Sequence, residues 1–235
     1  MKEKKIMFIL PEDYTFSIPA ILRFKKRYAH KIVGLIFTEG FFEIKKLISI
    51  LFLFNFTDHI KFLIKNIKKK EFDEISKIKN ISSNNINSKK ISAFIKKNRP
   101  DYLIICGCNQ ILKKKIFKIP RINTYNIHSS KLPKYRGVLP IFRAYQNNEK
   151  NFTISIHEVN NKIDDGPICN RKTIKIKNKD KLIDLYLKSF KHMPSIINNA
   201  ITNNKKIKNN KKFGSYYSYP SLMELIKFRI RKIFN

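Results

Sequence analysis

Short apolar runs alternate along the first half of the chain with segments whose apolar residues recur at helical spacing. The runs have the length of buried strands and lie at Lys5–Leu10, Lys31–Phe37, Tyr102–Cys106 and Thr124–Ile127. The segments between them are predicted as helices: Phe16–Tyr28, one or two helices within residues 41–68, and a helix capped by Asn87-Ser88 and stopped by Pro100. This alternation predicts an α/β fold with a mostly parallel central sheet flanked by helices.

The second half of the chain continues with strands and ends in helices. Phe152–Val159 alternates apolar and polar residues, as a half-buried strand does, and Ile168–Ile176 is predicted as a further strand after a turn at Gly166-Pro167. Lys181–Ile201 predicts a long helix, and Tyr216–Phe234 a short aromatic turn followed by a basic helix. Residues 69–88 are mostly polar, and Ser82–Asn85 within them are typical of a loop.

The composition is that of a globular chain with a large positive charge. The 235 residues are 43% hydrophobic, which excludes a wholly disordered chain, and 50 Lys plus Arg against 17 Asp plus Glu give a formal net charge of +33. Such a field attracts phosphate-rich partners. However, the basic residues are spread along the whole chain, and an excess of Lys together with Ile and Asn is also typical of a biased genome composition. Both interpretations stay open.

Apolar runs and cysteines favour a cytoplasmic protein. The longest apolar stretch, Leu47–Phe56, is interrupted by Ser49 and Asn55 and is shorter than the ~20 residues that span a bilayer. The N-terminal apolar run is too short for a secretory signal. The three cysteines, Cys106, Cys108 and Cys169, lack paired metal-ligand spacing and are expected to be reduced thiols. We expect no bound metal.

One region carries residues suited to acyl transfer. Asn126 and His128 are two residues apart at the end of a predicted strand, so their side chains point the same way, and a tight acidic turn downstream contains Asp164 and Asp165. An asparagine amide can donate to a developing oxyanion, a neutral histidine can accept or donate a proton, and a carboxylate can orient either group. Taken singly, each residue is more typical of a capping, surface or turn position.

The segments around these residues resemble the folate-dependent formyltransferase family. Residues 126–137, NIHSSKLPKYRG, match every fixed position of the family pattern Asn-x-His-x-Ser-x-Leu-Pro-x-x-Arg-Gly, and residues 163–168, IDDGPI, match the hydrophobic-Asp-x-Gly turn that follows. Residues 106–112, CGCNQIL, resemble the strand-end segment that lines the family's pterin pocket. The resemblance is close over Asp101–Ile176 and implies a Rossmann-like formyltransferase domain.

The resemblance implies a role for each matched residue. Asn126, His128 and Asp164 match the family's catalytic Asn, His and Asp; Asp164 is preferred to Asp165 because it follows the hydrophobic residue and precedes x-Gly. The implied cofactor is 10-formyltetrahydrofolate. The residues expected to line its pterin site are Asn109, Gln110, Ile111 and Leu112 on one side, and Val159, Asn160 and Ile163 on the other.

The implied reaction is a direct transfer of the formyl group to a primary amine. A neutral amine attacks the formyl carbon, Asn126 and His128 stabilise the oxyanion, and Asp164 orients His128 or a bound water. The chain departs from the family at Arg143, where the family often has Trp, and this change is expected to alter helix packing behind the site. The glycine-rich first loop of glycinamide ribonucleotide transformylase is missing after the first strand, which disfavours that enzyme's substrate.

The layout is most similar to the sugar N-formyltransferases, so the expected acceptor is the amino group of a nucleotide-linked amino sugar. Residues 1–203 are expected to form the catalytic domain, and residues 204–235 a basic C-terminal extension with a short helix. Methionyl-tRNA formyltransferases resemble the core but carry a further C-terminal domain. A tRNA-linked amine remains the alternative acceptor, because a positive charge of this size suits nucleic acid.

Two non-catalytic interpretations also remain. A basic RNA-binding protein would bind with steep salt dependence and without folate. A membrane-surface protein would place residues 44–68 or the final helix, Leu222–Phe234, on anionic lipid, and weak association of this kind is compatible with catalysis. The aromatic tail, Tyr216–Pro220, is a candidate homodimer interface.

Overall fold

A computed structural model describes residues 3–11, 16–39, 44–55, 58, 69–203 and 205–233. The strands are β1 Lys5–Pro11, β2 Lys31–Thr38, β3 Asn80–Ser83, β4 Tyr102–Ile105, β5 Asn123–His128, β6 Arg136–Gly137, β7 Asn151–Glu158, β8 Ile168–Lys175 and β9 Tyr216–Tyr217. The helices are α1 Ser17–Arg27, α2 Ile44–Leu53, α3 Lys69–Ser76, α4 Lys89–Asn98, α5 Lys114–Phe117, α6 Pro140–Gln146, α7 Leu182–Thr202 and α8 Leu222–Ile233, with a 3₁₀ turn at Lys211–Phe213.

Within the described residues, the central sheet has seven strands in the order β3-β2-β1-β4-β5-β7-β8. Strands β3, β2, β1, β4 and β5 are parallel, and β7 and β8 extend the sheet in antiparallel pairing. This confirms the predicted mostly parallel α/β sheet. The strand order reverses between β1 and β4, and ligands of open α/β sheets bind beyond the carboxyl ends of the strands at such a point. Residues 106–112, which follow β4, lie at this edge.

Two apolar cores cover the two faces of the sheet, and β1 contributes to both. Its side chains alternate: Phe8 and Leu10 belong to the larger core, whereas Met7 and Ile9 belong to the smaller one. All of these β1 side chains are fully buried, as expected for a strand between two layers of helices. The position of the edge beyond β1 and β4 is therefore fixed by packing on both sides.

Two elements lie within the mostly polar stretch 69–88, in which the sequence predicts a loop at Ser82–Asn85. Residues 69–88 contain helix α3 and strand β3, and β3 pairs in parallel with β2. The prediction of a loop is wrong for Ser82 and Ser83, which belong to β3, because β3 is an edge strand whose residues are exposed or half-buried and which lacks the apolar run by which buried strands are recognised. The predicted cap of the next helix is confirmed, since the Ser88 side chain accepts from the Ile91 N–H at 3.3 Å.

The apolar region 41–68 is described only in part. Helix α2 is one of the one or two helices predicted there, and residues 41–43, 56–57 and 59–68 lie outside the described residues, as does Phe234 of the final helix. Among the helices that the structure describes, none is both long enough and apolar enough to cross a bilayer.

The C-terminal extension packs against the rest of the fold. Ile207 exchanges two backbone hydrogen bonds with Ile168 at the start of β8, of 2.8 and 2.9 Å. Strand β9 pairs in parallel with β6, and Leu225 and Phe228 of α8 belong to the larger apolar core. The extension is thus joined to the sheet by backbone pairing and to the core by apolar burial.

Arg143 connects α6 to this extension. Its side chain is 3% exposed, donates to Glu224 of α8 at 2.8 Å and to the Ser218 carbonyl at 3.3 Å, and lies 4.8 Å over the Tyr217 ring. A buried guanidinium needs such partners because an unpaired buried charge is strongly unfavourable. At the position where the family often has Trp, Arg143 therefore binds the extension by charge and hydrogen bonding.

Replacement of Glu224 tests how firmly the extension is held. Glu224→Gln is expected to lower the free energy of unfolding by about 1–2 kcal/mol, because Arg143 stays buried with its charged partner removed. The matched control is Glu74→Gln, whose pair with Lys25 is exposed on both sides and is expected to contribute less than ~1 kcal/mol. Urea unfolding measures both; equal effects of the two variants would contradict this role of Arg143.

Candidate active site

The three predicted catalytic residues meet at one end of the sheet. Asn126 and His128 lie on the same side of β5, and Asp164 lies in the turn between β7 and β8. The Asn126 Nδ2 donates to Asp164 Oδ1 at 3.2 Å, and His128 Nδ1 is 3.6 Å from Asp164 Oδ2. The structure therefore brings together the amide, the imidazole and the carboxylate that the sequence motifs single out.

Two glycines allow the backbone to approach this carboxylate closely. The Gly137 N–H donates to Asp164 Oδ2 at 2.8 Å, and Gly137 has φ +91°, with a Cβ there falling 2.2 Å from the Tyr217 carbonyl oxygen. A Cβ on Gly166 would fall 1.9 Å from the Glu158 carbonyl oxygen. Any side chain at either position would push apart the backbone segments that surround the acid, which explains both motif glycines.

A second histidine, which the sequence did not predict, completes the cluster. His157 is opposite Asn126 in the β5–β7 register and is 2% exposed. Its Nε2 lies 3.2 Å from Asn126 Nδ2 and 3.5 Å from Asp164 Oδ1. Its place near the end of a predicted strand was visible in the sequence, but the register that sets it beside Asn126 was not.

For both Asp164 and His128, burial and the charge of the neighbouring group shift the pKa in opposite directions. Burial alone would raise the pKa of Asp164, but attraction to His128 and hydrogen bonds from His157 and the Gly137 N–H hold that pKa at about 2. Burial lowers the pKa of His128 below its ordinary value of 6.5, despite the attraction of Asp164. Near neutral pH the site thus contains an ionised carboxylate beside a neutral imidazole.

Hydrogen-bond partners indicate where the protons lie. His128 Nε2 is 2.7 Å from the Tyr135 carbonyl oxygen, which can only accept, so we assign the hydrogen of the neutral ring to Nε2. His128 Nδ1 then carries a lone pair and can accept a proton next to Asp164. His157 Nδ1 lies 2.9 Å from the Glu158 carbonyl oxygen, so this nitrogen also carries a hydrogen.

A cleft of about 960 Å³ opens onto this cluster. Asn126, His128 and Asp164 line it, and so do all seven residues expected from the resemblance to line the pterin site: Asn109, Gln110, Ile111, Leu112, Val159, Asn160 and Ile163. The size is within the range of sites that enclose small molecules. Ile111 and Ile163 are 62% and 39% exposed, so this part of the cleft offers apolar surface to a ligand.

The loop that follows β4 is fixed by its side chains. Gln110 accepts from the Ile86 N–H at 3.0 Å and donates to the Asn84 carbonyl at 2.8 Å. Asn87 donates to the Ile111 carbonyl at 3.0 Å. Because the Gln110 side chain is bound to these neighbours, it shapes the loop, and the loop's apolar side chains and backbone groups are what remain to face the cleft.

In the part of the chain that the structure describes, the cysteine, acidic and histidine side chains form no cluster suited to a metal ion. Cys106 and Cys169 are buried, Cys108 is half-buried, and all three are free thiols. In the ranges that the structure describes, no group of three or more His, Cys, Asp or Glu side chains is arranged to hold a metal ion.

The chain belongs to the formyl transferase family. The family model described as "Formyl transferase" matches residues 46–201, which include β4, β5, the acidic turn and all but the last residue of α7. The resemblance seen in the sequence motifs is thus confirmed at the level of the family.

Curated relatives match the chain over part of their own length. A methionyl-tRNA formyltransferase of Thermotoga maritima is 38% identical over 96 residues, 41% of this chain and 31% of that protein. The bifunctional polymyxin resistance protein ArnA of Wigglesworthia glossinidia brevipalpis is 33% identical over 165 residues, 67% of this chain and 24% of that protein. The chain spans about a third or less of the length of these relatives.

Solved structures share the fold. A phosphoribosylglycinamide formyltransferase from Bacillus halodurans matches with a TM-score of 0.63 at 17% identity and covers 86% of this chain and 97% of its own. WlaRD, a sugar 3N-formyl transferase crystallised in the presence of dTDP and 5-N-formyl-THF, matches with a TM-score of 0.57 at 22% identity and covers 93% of this chain and 70% of its own. These likenesses establish the Rossmann-like formyltransferase fold.

The lowered pKa of His128 makes stability depend on pH. The unfolded chain takes up a proton at this ring first as the pH falls through 6.5, so folding stability is lost in that range. We expect the free energy of unfolding to fall as the pH drops through 6.5 and below, and to fall less in His128→Gln, which keeps a donor for the Tyr135 carbonyl. Urea unfolding at each pH measures this; an identical pH dependence in the variant would show that His128 is not buried in its neutral form.

Proposed function

We propose that this protein transfers a formyl group from 10-formyltetrahydrofolate to a primary amine. The observation that carries the proposal is the meeting of Asn126, His128 and an ionised Asp164 at one end of a cleft, with Asp164 within hydrogen-bond distance of Asn126 and ion-pair distance of His128. Membership of the formyl transferase family supports the reaction class. An amide donor, a proton acceptor and a carboxylate are the groups that acyl transfer without a covalent enzyme intermediate requires.

The residues of the cleft fit the proposed cofactor. When bound, 10-formyltetrahydrofolate supplies the activated formyl group. The apolar Ile111, Val159 and Ile163 provide surface for a flat ring system, while residues 107–112 offer backbone donors and acceptors in a loop that Gln110 holds in place. A largely apolar wall with a few fixed polar groups is how proteins commonly bind ring-containing ligands.

Asn126 acts in this proposal as the donor to the formyl oxygen. Its amide contacts both Asp164 and His157 in the free protein, so one of these hydrogen bonds must be exchanged for the bond to the developing negative charge. The remaining contact keeps the amide oriented. A fixed donor aimed at developing charge in a water-poor site contributes about 10²–10³ to the rate.

His128 acts in this proposal as the proton acceptor. The attacking amine loses a proton as the new C–N bond forms, and His128 Nδ1 carries the free lone pair beside the carboxylate. Asp164, at 3.6 Å, stabilises the resulting imidazolium until the proton passes to the leaving nitrogen. Asp164 therefore serves by staying ionised, which its low pKa ensures at neutral pH.

The acceptor that we propose is the amine of a nucleotide-linked amino sugar. Tyr216 and Tyr219 of the C-terminal extension and Phe190 of α7 line the cleft and offer aromatic surface beyond the cluster. The match of the fold to WlaRD, a sugar 3N-formyl transferase that covers 93% of this chain, supports a sugar substrate. A small-molecule acceptor and a cytoplasmic location belong to this proposal.

A tRNA-linked amine is the second candidate acceptor. The specific observations in its favour are the 38% identity to a methionyl-tRNA formyltransferase over 96 residues and the net charge of +33. Weak association with an anionic membrane also stays a prediction: Met223 and Ile230 of α8 are 59% and 48% exposed, and Lys227 and Arg231 are exposed on the same helix. A homodimer likewise stays a prediction.

Two neighbouring acids provide a matched test of the mechanism. Asp164→Asn is expected to keep the fold and to lower kcat by about 10²–10⁴-fold, because the imidazolium loses its stabilising charge. Asp165→Asn, one residue away, is expected to keep kcat close to the wild-type value. Formyl transfer measured by mass spectrometry decides between them, with circular dichroism as the check on folding. Equal activity of the two variants would contradict the assignment of Asp164.

An acceptor panel tests the reaction and the substrate class together. Wild type and Asn126→Ala are incubated with 10-formyltetrahydrofolate and with nucleotide-linked amino sugars, methionyl-tRNA and simple amines. Formylated amino sugar with wild type and ~10²–10³-fold less with Asn126→Ala is expected. Product from tRNA alone would replace the proposed acceptor. RNA binding with steep salt dependence and no folate binding would contradict the enzyme proposal.

A further inference from the structure

Asn209, in the C-terminal extension, contacts the backbone of the turn that carries Asp164. The Asn209 Nδ2 donates to the Asp164 carbonyl oxygen at 2.9 Å and to the Gly166 carbonyl oxygen at 3.3 Å. One amide group thus binds two carbonyls of the same turn, 45 and 43 residues earlier in the chain. Neither the catalytic proposal nor the sequence motifs use this residue.

The turn needs such support because its backbone is strained. Asp164 has φ +48°, in the left-handed region, which is unfavourable for residues other than glycine by about 1–2 kcal/mol. Strained conformations of this kind persist only where the surroundings enforce them, and they cluster at functional sites. On one side of the turn, Gly166 lies close to the Glu158 carbonyl. On the other side, Asn209 donates hydrogen bonds to the carbonyl oxygens of Asp164 and Gly166.

Asn209 is itself held in place from both sides. Before it, Lys206 pairs with Glu158 at 2.5 Å, and Ile207 exchanges backbone hydrogen bonds with Ile168. After it, the Ser215 N–H donates to the Pro133 carbonyl at 3.3 Å, and β9 then pairs with β6. The amide is therefore presented to the turn from a segment that the sheet fixes.

The other half of the Asn209 amide argues against a purely stabilising role. Its Oδ1 is buried and has no hydrogen-bond partner among the described residues. An unsatisfied buried acceptor lowers stability by about 1–3 kcal/mol. Stability alone does not account for an amide here, whereas the two bonds from Nδ2 to the catalytic turn give it a specific use.

We propose that Asn209 is a positioning residue that holds the Asp164 turn and so sets the carboxylate against Asn126, His128 and the Gly137 N–H. This inference rests on the proposed function for its catalytic consequence, but not for its geometry. Without the two bonds, the strained turn relaxes, and the Asp164 carboxylate moves relative to His128 Nδ1. Misplacement of a catalytic group by ~1 Å can lower the rate by about 10²-fold.

Asn209→Ala and Asn209→Leu remove the donor, the second with little loss of side-chain volume, and Asn209→Gln retains an amide. The control is Asn210→Ala, at an exposed neighbour whose side chain accepts from the Lys212 N–H. The first readout is the pKa of Asp164 in the free protein, followed by ¹³C NMR of its carboxyl and assigned with Asp164→Asn. The second is kcat and KM for 10-formyltetrahydrofolate with an amine acceptor.

In wild type and Asn210→Ala, the Asp164 pKa is expected near 2, where His128, His157 and the Gly137 N–H stabilise the carboxylate. In Asn209→Ala and Asn209→Leu it is expected to rise toward the ordinary value of ~4, with kcat reduced by at least ~10-fold, KM little changed and partial rescue in Asn209→Gln.

An unchanged Asp164 pKa in folded Asn209→Ala or Asn209→Leu overturns the inference, even if melting temperature or kcat falls. Wild-type kcat in these variants also overturns it. If the Asp164 pKa rises in the Asn209 variants but the wild-type protein transfers no formyl group, the proposed function is contradicted and the positioning role of Asn209 still holds.

Discussion

The buried carboxylate of Asp164 is the group around which the site is organised. It is 8% exposed, and it stays ionised because an asparagine amide, two imidazoles and a backbone N–H surround it. A buried charge without such partners would take up a proton or destabilise the fold. The ionised form in turn requires β5, β6, β7 and the following turn to converge on one point. The carboxylate can therefore stay ionised only when these strands and the turn are correctly placed around it.

That constraint extends to the C-terminal part of the chain. Strand β6 supplies the Gly137 N–H and is paired with β9, and the β9 segment is bound by Arg143 through Ser218 and the Tyr217 ring. Residues 205–233, the described part of the extension that the sequence set apart, contribute backbone pairing, apolar core and cleft-lining tyrosines to the same region. Contacts between residues 70 or more positions apart in the sequence therefore shape the surroundings of the Asp164 carboxylate.

The sequence predicted the parts of the site that local motifs encode. Asn126 and His128 lie near the end of β5 and Asp164 lies in a tight turn, and the antiparallel pairing of β7 with β5 brings that turn to the two β5 residues. His157 was not predicted because only the β5–β7 register places it beside Asn126. Asn209 was not predicted because it comes from a distant segment that reaches the Asp164 turn only in the folded chain. Strand β3 escaped because an edge strand without apolar alternation resembles a loop.

The most direct test of the proposed proton arrangement is ¹⁵N NMR of His128 in the free protein at neutral pH. The structure predicts a neutral ring with its hydrogen on Nε2, bound to the Tyr135 carbonyl, and an unprotonated Nδ1 beside an ionised Asp164. Asp164→Asn should lower the pKa of His128 further, since the attraction of the carboxylate is lost. A ring protonated at both nitrogens at neutral pH, or a hydrogen on Nδ1 alone, would contradict the role of His128 as the proton acceptor.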